Sequence, residues 1–346
     1  MSLSARIKTV VEGQSLTEEE AYSAACELMD GNATHAQVAA ILIALKIKGE
    51  TASEITGFVR AMRERVIPVR PQSASLLDLC GTGGSAFRVF NVSTAAAFVV
   101  ASFGIPVAKH GNRAQSGICG SADVLEALGV NLALTPEQLA ACIDAVGIGF
   151  LFAQAHHPAM KFVAPVRREL GLRTIFNLLG PLTNPAGATR QVLGVYDPTL
   201  APLLCETLRT LGTERAFVLH GEPGLDEIST LGETQIYSLR DGTITQEMLT
   251  PLIFGITPPA DLGVLSPAST PEANAALLRE ALSPIPLKNE AAQARRDLVF
   301  ANVAAALILS DKAADWQTAV NLAKEQIQTG KPLQTLENLI AFTQKF

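Results

Sequence analysis

The sequence predicts an α/β protein: a small all-helical domain, then a larger α/β domain whose mostly parallel central sheet is flanked by helices. A change of pattern along the chain carries this prediction. Residues 1–70 show helix signals throughout, whereas after residue 75 short apolar strands alternate with helices. Such alternation is typical of a parallel sheet with crossover helices. The length of 346 residues, 48% of them hydrophobic, fits one or two domains with a sizeable core.

Three helices are well marked in the first 70 residues. Thr17 precedes three consecutive glutamates, which is an N-cap followed by a negatively charged first turn, and Gly31 ends that helix. The stretch 36–48 is apolar on every face, so we expect it to be well buried. The stretch 51–66 is amphipathic, and the two prolines that follow it indicate a linker.

Strands and helices are expected to alternate along the rest of the chain. The stretch 158–168 is expected to be helical, and 176–186, with its two prolines, is expected to be a loop or a change of direction. The predicted strands are 76–80, 106–108, 149–152, 191–195 and 216–219, and the predicted C-terminal helices are 271–282, 291–309, 314–328 and 333–343.

Composition and charge disfavour several classes of protein. A net charge of -6 argues against a nucleic-acid-binding protein, which usually has a basic face. The longest apolar runs, 95–103 and 303–309, are well short of the roughly 18 residues that a membrane-spanning helix needs. We expect no signal peptide. The five cysteines are scattered and lack CxxC spacing, so we expect free thiols and a cytoplasmic protein.

A glycine-rich turn, 81–85, follows the first predicted strand. Glycines let the backbone approach an anion closely, and the N–H groups of a helix's first turn point at such an anion. Asn91, Ser93 and Thr94 open the alanine-rich helix behind the turn. Asn and Ser are also good helix caps, so a purely structural interpretation stays open. The functional interpretation is a phosphate-binding turn with hydroxyls that contact phosphate or metal.

Positive charge follows the next predicted strand, at Lys109 and Arg113. Two turns after consecutive parallel strands would lie side by side at the carboxyl edge of the sheet, where open α/β sheets bind ligands. The alternative is a turn with solvated charges. The loop 116–121, with its serines and glycines, adds further hydrogen-bond donors near the same edge.

Adjacent carboxylates at Asp226 and Glu227 follow a later strand and glycine turn. Because neighbouring side chains diverge, the pair suits two hard cations, or one cation and a positioned water. Mg²⁺ commonly binds between carboxylates and substrate phosphates. The alternative is a helix cap. His156 and His157 have no cysteine or carboxylate at ligand spacing, which argues against zinc. Arg167 suits a carboxylate ligand or a solvated helix face.

Together these stretches resemble the anthranilate phosphoribosyltransferase family. The resemblance covers nearly the whole chain, and its longest stretch is far more specific than the glycine turn alone. The matching stretches are 81–84, 91–94, 109–113, 120–123, 157–185, 224–227 and 271–274.

The resemblance implies an active site at the hinge between the helical and α/β domains, and a homodimer joined through the helical domains. The helical domain would be 1–72 with part of about 166–186, and the α/β domain would be 73–165 with 187–346. The implied activity transfers the 5-phosphoribosyl group from 5-phosphoribosyl diphosphate (PRPP) to the amine of anthranilate. It yields N-(5-phosphoribosyl)anthranilate and pyrophosphate, in tryptophan biosynthesis, with Mg²⁺ at two ions per active site.

Three sets of site residues follow from the resemblance, position by position. The metal set is Ser93, Asp226 and Glu227. The PRPP set is Gly81, Thr82, Gly83, Gly84, Asn91, Ser93, Thr94, Lys109 and Ser121. The anthranilate set is Gly81, His110, Asn112, His157, Arg167 and Pro181, with Arg167 facing the carboxylate.

These residues suit the chemistry, which needs a stabilised leaving group more than a strong nucleophile. Pyrophosphate leaves C1 of the ribose as the amine attacks, and the transition state should be oxocarbenium-like. Lys109, the metal and oriented N–H donors would stabilise the pyrophosphate. No nucleophilic triad is visible, and no side chain is assigned as the general base. We expect the substrate's own carboxylate to assist in taking the amine proton.

Three positions depart from the family pattern. The family usually has Asp where this chain has Ser85, and Lys and Ser where it has Ile118 and Cys119. These departures leave open a divergent paralogue that uses another aromatic acceptor. A pyrimidine nucleoside phosphorylase of the same fold is disfavoured by the 157–185 match. A catalytically silent, nucleic-acid-binding relative is disfavoured by the net charge of -6 and the intact Lys109.

Overall fold

Four helices come first in a computed structural model that describes residues 1–114, 118–287 and 289–346. Thr17, Thr34 and Thr51 each begin a helix with a reciprocal cap, in which the threonine and the third helical residue bond each other's backbone N–H. The predicted N-cap at Thr17 is therefore confirmed. The bounds are α1 Leu3–Val11, α2 Glu18–Met29, α3 His35–Lys48 and α4 Ala52–Arg63.

A seven-stranded sheet follows, in the order β3-β2-β1-β4-β5-β6-β7. Neighbouring strands from β3 to β5 pair in parallel, whereas β5 to β7 pair antiparallel. The predicted mostly parallel sheet is confirmed, and the antiparallel hairpin at one edge adds to it. The strands are β1 Leu77–Gly81, β2 Val107–Gly111, β3 Ile148–Phe152, β4 Arg190–Gly194, β5 Arg215–Gly221, β6 Thr234–Arg240 and β7 Thr243–Leu249.

Helices cover both faces of the sheet. One face packs Leu77, Leu79 and Val107 against α5 and the C-terminal helices. The opposite face packs Leu193 and Val218 against the N-terminal helices. The helix bounds are α5 Val92–Ser102, α6 Ser121–Ala127, α7 Pro136–Val146, α8 Ala153–His156, α9 Ala164–Leu170, α10 Phe176–Leu182, α11 Leu200–Thr210, α12 Pro271–Leu282, α13 Glu290–Leu309, α14 Trp316–Gln328 and α15 Lys331–Thr343.

Two sequence expectations between residues 158 and 186 are wrong in part. The expected loop at 176–186 begins as α10, although Pro181 lies inside that helix. Phe176 is buried and packs edge-on against Phe58 of α4, so tertiary packing outweighs the local preference of proline. The expected helix at 158–168 is interrupted, because a 3₁₀ turn at Pro158–Phe162 precedes α9.

The segment that carries α9 and α10 packs with the N-terminal helices. Val163, Val166 and Leu179 are buried in the same apolar cluster as Ile41 and Phe58. This cluster brings the segment beside the carboxyl edge of the sheet. Within the described ranges, the helices include none with the length and apolar character needed to cross a membrane.

Candidate active site

The first cluster of polar groups lies where the strand order reverses, between β1 and β4. The loop after β5 passes directly over the ends of both strands. A Cβ at Gly194 would lie 1.7 Å from the backbone oxygen of Asp226, and one at Gly81 would lie 2.4 Å from its Oδ2, so only glycine leaves room. Gly83 N–H donates to Asp226 Oδ2 at 3.0 Å. Such a reversal point is where open α/β sheets bind ligands.

The carboxylates of Asp226 and Glu227 diverge from each other. Ser93 N–H, in the first turn of α5, donates to Glu227 Oε1 at 3.2 Å. Lys109 Nζ lies 3.3 Å from Ser93 Oγ and donates to the carbonyl of Leu79 at 2.6 Å. In the described part of the chain no helix begins directly after Asp226 and Glu227, so the alternative of a local helix cap does not apply. Glu227 instead lies at the N-terminus of α5, a position that favours anions.

The electrostatics of this cluster are set by burial. Lys109 is only 3% exposed, and burial lowers the pKa of its ammonium group against the opposing effect of nearby carboxylates. Burial, together with the neighbouring Asp226 carboxylate, raises the pKa of Glu227 to about 8. A cation bound between these carboxylates would favour their ionised forms.

Asn91 precedes α5, but its side chain does not cap the helix. Its Nδ2 donates to the carbonyl of Cys119 at 3.2 Å, while its Oδ1 is buried and has no partner among residues 1–114, 118–287 and 289–346. An unsatisfied buried acceptor is costly, and a ligand donor or cation would relieve that cost. Thr94 is buried within the first turns of α5.

A second cluster forms on the opposite face of β2, because consecutive strand residues Lys109 and His110 point to opposite sides. His110 Nδ1 lies 3.0 Å from the carbonyl of Gly180, and its Nε2 lies 3.3 Å from Nε2 of His157. Since a carbonyl only accepts, His110 carries its proton on Nδ1 and accepts one bond from His157. Pro181 follows Gly180 directly, so the structure brings together three of the predicted anthranilate-binding residues, His110, His157 and Pro181.

Asn112 and Ser121 lie just beyond the end of β2. Ser121 Oγ donates to the carbonyl oxygen of Asn112 at 3.4 Å, and Asn112 Oδ1 accepts from Arg113 N–H at 2.8 Å. The Arg113 guanidinium pairs with Glu126 at 2.7 Å. Residues 115–117 of the neighbouring loop, part of the predicted donor-rich stretch, lie outside the described residues.

Arg167 projects from α9 and is partly buried. Its Nη2 lies 3.5 Å from Oδ1 of Asn177, its guanidinium carbon lies 5.5 Å from the centre of the Phe176 ring, and burial lowers its pKa. Its Nε is buried and has no hydrogen-bond partner in the described part of the chain. The guanidinium therefore keeps unused donor capacity, which suits a carboxylate ligand.

Asp78 lies beside the candidate site, and the sequence interpretation left it unassigned. Its carboxylate is fully buried and accepts from His110 N–H at 3.2 Å and from Asn184 Nδ2 at 2.8 Å. Burial raises its pKa to about 6. These bonds tie β1 to β2 and to the segment after α10, and so they orient His110. The sequence signal that could have identified Asp78 is a carboxylate residue inside a short apolar strand.

The buried histidines predict a loss of stability in acid. Burial lowers the pKa of His110 to about 3 and of His157 to about 4, whereas the unfolded chain titrates near 6.5. The unfolded state therefore binds more protons between about pH 4 and 6.5, and stability falls as pH drops through that window. Each histidine contributes about 1.4 kcal/mol per pH unit there.

Urea denaturation at pH 7, 6 and 5 would measure this slope. His157→Gln should reduce the slope by one histidine's share, and His35→Gln, the same change on the exposed start of α3, is the matched control. Equal slopes for wild type and His157→Gln would contradict the prediction.

Family models match the two parts of the chain. A glycosyl transferase family helical bundle domain matches residues 5–66, and a glycosyl transferase family a/b domain matches residues 73–333. A curated anthranilate phosphoribosyltransferase from Symbiobacterium thermophilum is 48% identical over 343 residues, which cover 99% of this chain and 98% of that protein.

Solved structures show the same likeness. The crystal structure of anthranilate phosphoribosyltransferase from Thermus thermophilus aligns with a TM-score of 0.90 and 44% identity, over 98% of this chain and 99% of that one. The Saccharomyces cerevisiae enzyme, solved in complex with PRPP and Mg, aligns with a TM-score of 0.89 and 27% identity, over 99% and 98%. Another structure of that yeast enzyme contains 4-fluoroanthranilate. By fold, sequence and coverage, this chain belongs to the anthranilate phosphoribosyltransferases of the glycosyl transferase family.

Proposed function

We propose that this protein transfers the 5-phosphoribosyl group from PRPP to the amine of anthranilate, releasing pyrophosphate, as a step of tryptophan biosynthesis. The observation that carries the proposal is the convergence of Lys109, Asp226 and Glu227 on the glycine turn and the N-terminus of α5. That arrangement suits a magnesium-bound diphosphate, and the relatives named above are phosphoribosyltransferases that use anthranilate. No observation favours another acceptor.

The diphosphate would bind in the first cluster. The Lys109 ammonium group and the N-terminus of α5 supply the positive potential that an anion needs. Gly83 N–H and Ser93 N–H donate to Asp226 and Glu227, and so they hold the proposed metal ligands beside the diphosphate. Asn91 Oδ1 is a buried acceptor, and a ribose hydroxyl of PRPP or a cation would satisfy it, whereas the phosphates, themselves acceptors, would not. The proposed PRPP residues are Gly81, Thr82, Gly83, Gly84, Asn91, Ser93, Thr94, Lys109 and Ser121.

Two Mg²⁺ ions per site are proposed, held by Ser93, Asp226 and Glu227. The donors fit, because hydroxyl and carboxylate oxygens are the ligands that Mg²⁺ prefers, and the two carboxylates diverge toward different elements. Bound there, Mg²⁺ would neutralise charge on the departing pyrophosphate. Lys109 adds a fixed positive charge to the same site without any reorganisation during the reaction.

The serine at position 85 should give this site a different dependence on Mg²⁺ from that of a site with the usual aspartate. Ser85 Oγ donates to Asp226 Oδ1 and accepts from Asp226 N–H. Ser85→Asp would set a second carboxylate against Asp226, so the Mg²⁺ concentration for half-maximal activity should fall roughly fivefold. Magnesium titration at fixed PRPP measures this, with Ser85→Ala as the control. Superimposable magnesium curves for wild type and Ser85→Asp would refute it.

The acceptor would bind in the second cluster, with Arg167 on its carboxylate. The proposed anthranilate residues are Gly81, His110, Asn112, His157, Arg167 and Pro181. His110 and His157 are neutral, and we assign neither as the base; the carboxylate beside the amine assists in removing the proton. An acceptor without that carboxylate that reacted at the same chemical rate once bound would contradict this assignment.

Assembly and compartment are proposed as well. The helical domain is 1–72 with part of 166–186, the α/β domain is 73–165 with 187–346, and two chains join through their helical domains. Val11 on α1 and Ile47 on α3 are 68% and 81% exposed, and a contact through the helical domains would remove such apolar surface from water. Light scattering on the purified protein tests the dimer. The cytoplasm is the proposed compartment.

The test of function is the loss of anthranilate fluorescence on mixing with PRPP, Mg²⁺ and the purified protein. Turnover that requires all three components supports the assignment. If anthranilate is not consumed but another aromatic acid is, the assigned acceptor is wrong and the assigned reaction type stands. Strong retention on heparin at low salt, with no turnover of any acceptor, would favour a nucleic-acid-binding protein.

A further inference from the structure

Arg173 lies in the loop between α9 and α10, outside the three proposed sets of site residues, yet it contacts the glycine turn. Its Nη2 donates to the carbonyl of Thr82 at 3.2 Å and to the carbonyl of Gly83 at 2.7 Å. A single guanidinium thus holds two successive carbonyl groups of the turn. The contact joins the segment that packs with the N-terminal helices to the turn that follows β1.

These two bonds fix the direction of the N–H groups of the turn. In a trans peptide the carbonyl and the N–H point to opposite sides. The Thr82 carbonyl faces Arg173, and accordingly Gly83 N–H donates to Asp226 Oδ2 on the other side, at 3.0 Å. The Gly83 carbonyl also faces Arg173, so Gly84 N–H is turned away from the guanidinium in the same manner.

The guanidinium is itself tightly held. It lies 3.8 Å from the centre of the Tyr196 ring, and Tyr196 N–H donates to Thr82 Oγ1 at 3.2 Å. A Cβ at Gly84 would lie 1.3 Å from Nη1 of Arg173, and φ at Gly84 is +82°. The guanidinium therefore packs between the aromatic ring and a turn that accepts only glycine there.

We propose that Arg173 is a positioning residue for diphosphate binding: it holds the carbonyls of the glycine turn, so that Gly83 N–H holds the proposed metal ligand Asp226 and Gly84 N–H stays turned away from the guanidinium. This inference rests on the proposed function for the identity of the ligand. Lysine keeps the charge but not the planar, multiply donating group, so it should replace Arg173 only in part.

The experiment compares Arg173→Met and Arg173→Lys with Arg168→Met, an identical change at an exposed position on α9. Arg173→Met should raise the KM for PRPP, and the calorimetric Kd for PRPP with Mg²⁺, about tenfold, while the KM for anthranilate changes less than about twofold. Arg173→Lys should lie between Arg173→Met and wild type, and Arg168→Met should match wild type. Tyr196→Leu should raise the PRPP constants, whereas Tyr196→Phe, which keeps the ring, should raise them less.

Unchanged PRPP constants in a folded Arg173→Met, or equal rises for both substrates, would overturn the proposal. If Arg173→Met does not fold, the Arg173→Lys constants decide in the same way. If wild-type protein binds PRPP but does not consume anthranilate, only the acceptor assignment is contradicted. The comparison of Kd values for PRPP then still tests the role of Arg173. If wild-type protein does not bind PRPP, both the proposed function and the proposed role of Arg173 are contradicted.

Discussion

Lys109→Met is expected to lower kcat/KM for the proposed transfer about 10²–10³-fold, a loss of about 3–4 kcal/mol of transition-state stabilisation. The reason is the position of the ammonium group. It is 3% exposed, beside the first turn of α5, and held by the Leu79 carbonyl and Ser93 Oγ. A fixed charge in a site that excludes water stabilises a leaving anion far more than a solvated charge does.

A loss of charge can be separated from a loss of the hydrogen bond to Leu79. Lys109→Gln keeps a donor for that carbonyl but removes the charge. If charge matters most, Lys109→Met and Lys109→Gln lose activity to a similar extent. Near-normal activity in Lys109→Gln would contradict the electrostatic role. Circular dichroism and melting temperature show whether each variant keeps the fold.

Removal of Lys109 should also move the pH dependence. The ammonium group lowers the pKa of Glu227, which burial and Asp226 already raise to about 8. Without Lys109 that pKa rises further, so the carboxylate needs a higher pH to ionise and hold a cation. Activity of Lys109→Met should therefore recover in part above pH 8, relative to wild type. A recovery absent from a pH 7–9.5 profile would argue against coupling between the two groups.

The first proposed cluster was accessible from sequence because it is built from local patterns. Gly83 follows β1 and Lys109 lies near the carboxyl end of the short strand β2, and neighbouring parallel strands bring their carboxyl ends together. Strand alternation also puts Lys109 and His110 on opposite faces, as the structure shows. Here local rules and the global fold agree.

The β6–β7 hairpin was missed although its turn carried a signal. Asp241 and Gly242 stand between the two strands and have φ of +51° and +75°, the conformation of a tight hairpin turn that Asp-Gly favours. The exposed and largely polar β7 gave no apolar run by which to recognise a strand. Arg173 is different: its partners Thr82 and Gly83 are about 90 residues away, and no local pattern records such a contact.

Arg167→Met is expected to lower kcat/KM for anthranilate about a hundredfold and, at the same time, to raise the melting temperature. Arg167 is partly buried; its polar partner at 3.5 Å is the uncharged Asn177 amide, and its buried Nε has no partner in the described part of the chain. Burial of a charge without a countercharge is costly, so an apolar replacement should stabilise the free protein. A substrate carboxylate supplies the missing partner only when bound.

The pair of acceptors anthranilate and aniline tests this assignment directly. Wild type should prefer anthranilate strongly, whereas Arg167→Met should distinguish the two poorly, because the cation that reads the carboxylate is gone. The KM for PRPP should stay within about twofold, and Arg168→Met, at an exposed neighbouring position, should behave as wild type. If Arg167→Met still prefers anthranilate as strongly as wild type, a residue other than Arg167 binds the substrate carboxylate. A lower melting temperature would instead make Arg167 a residue that the fold requires.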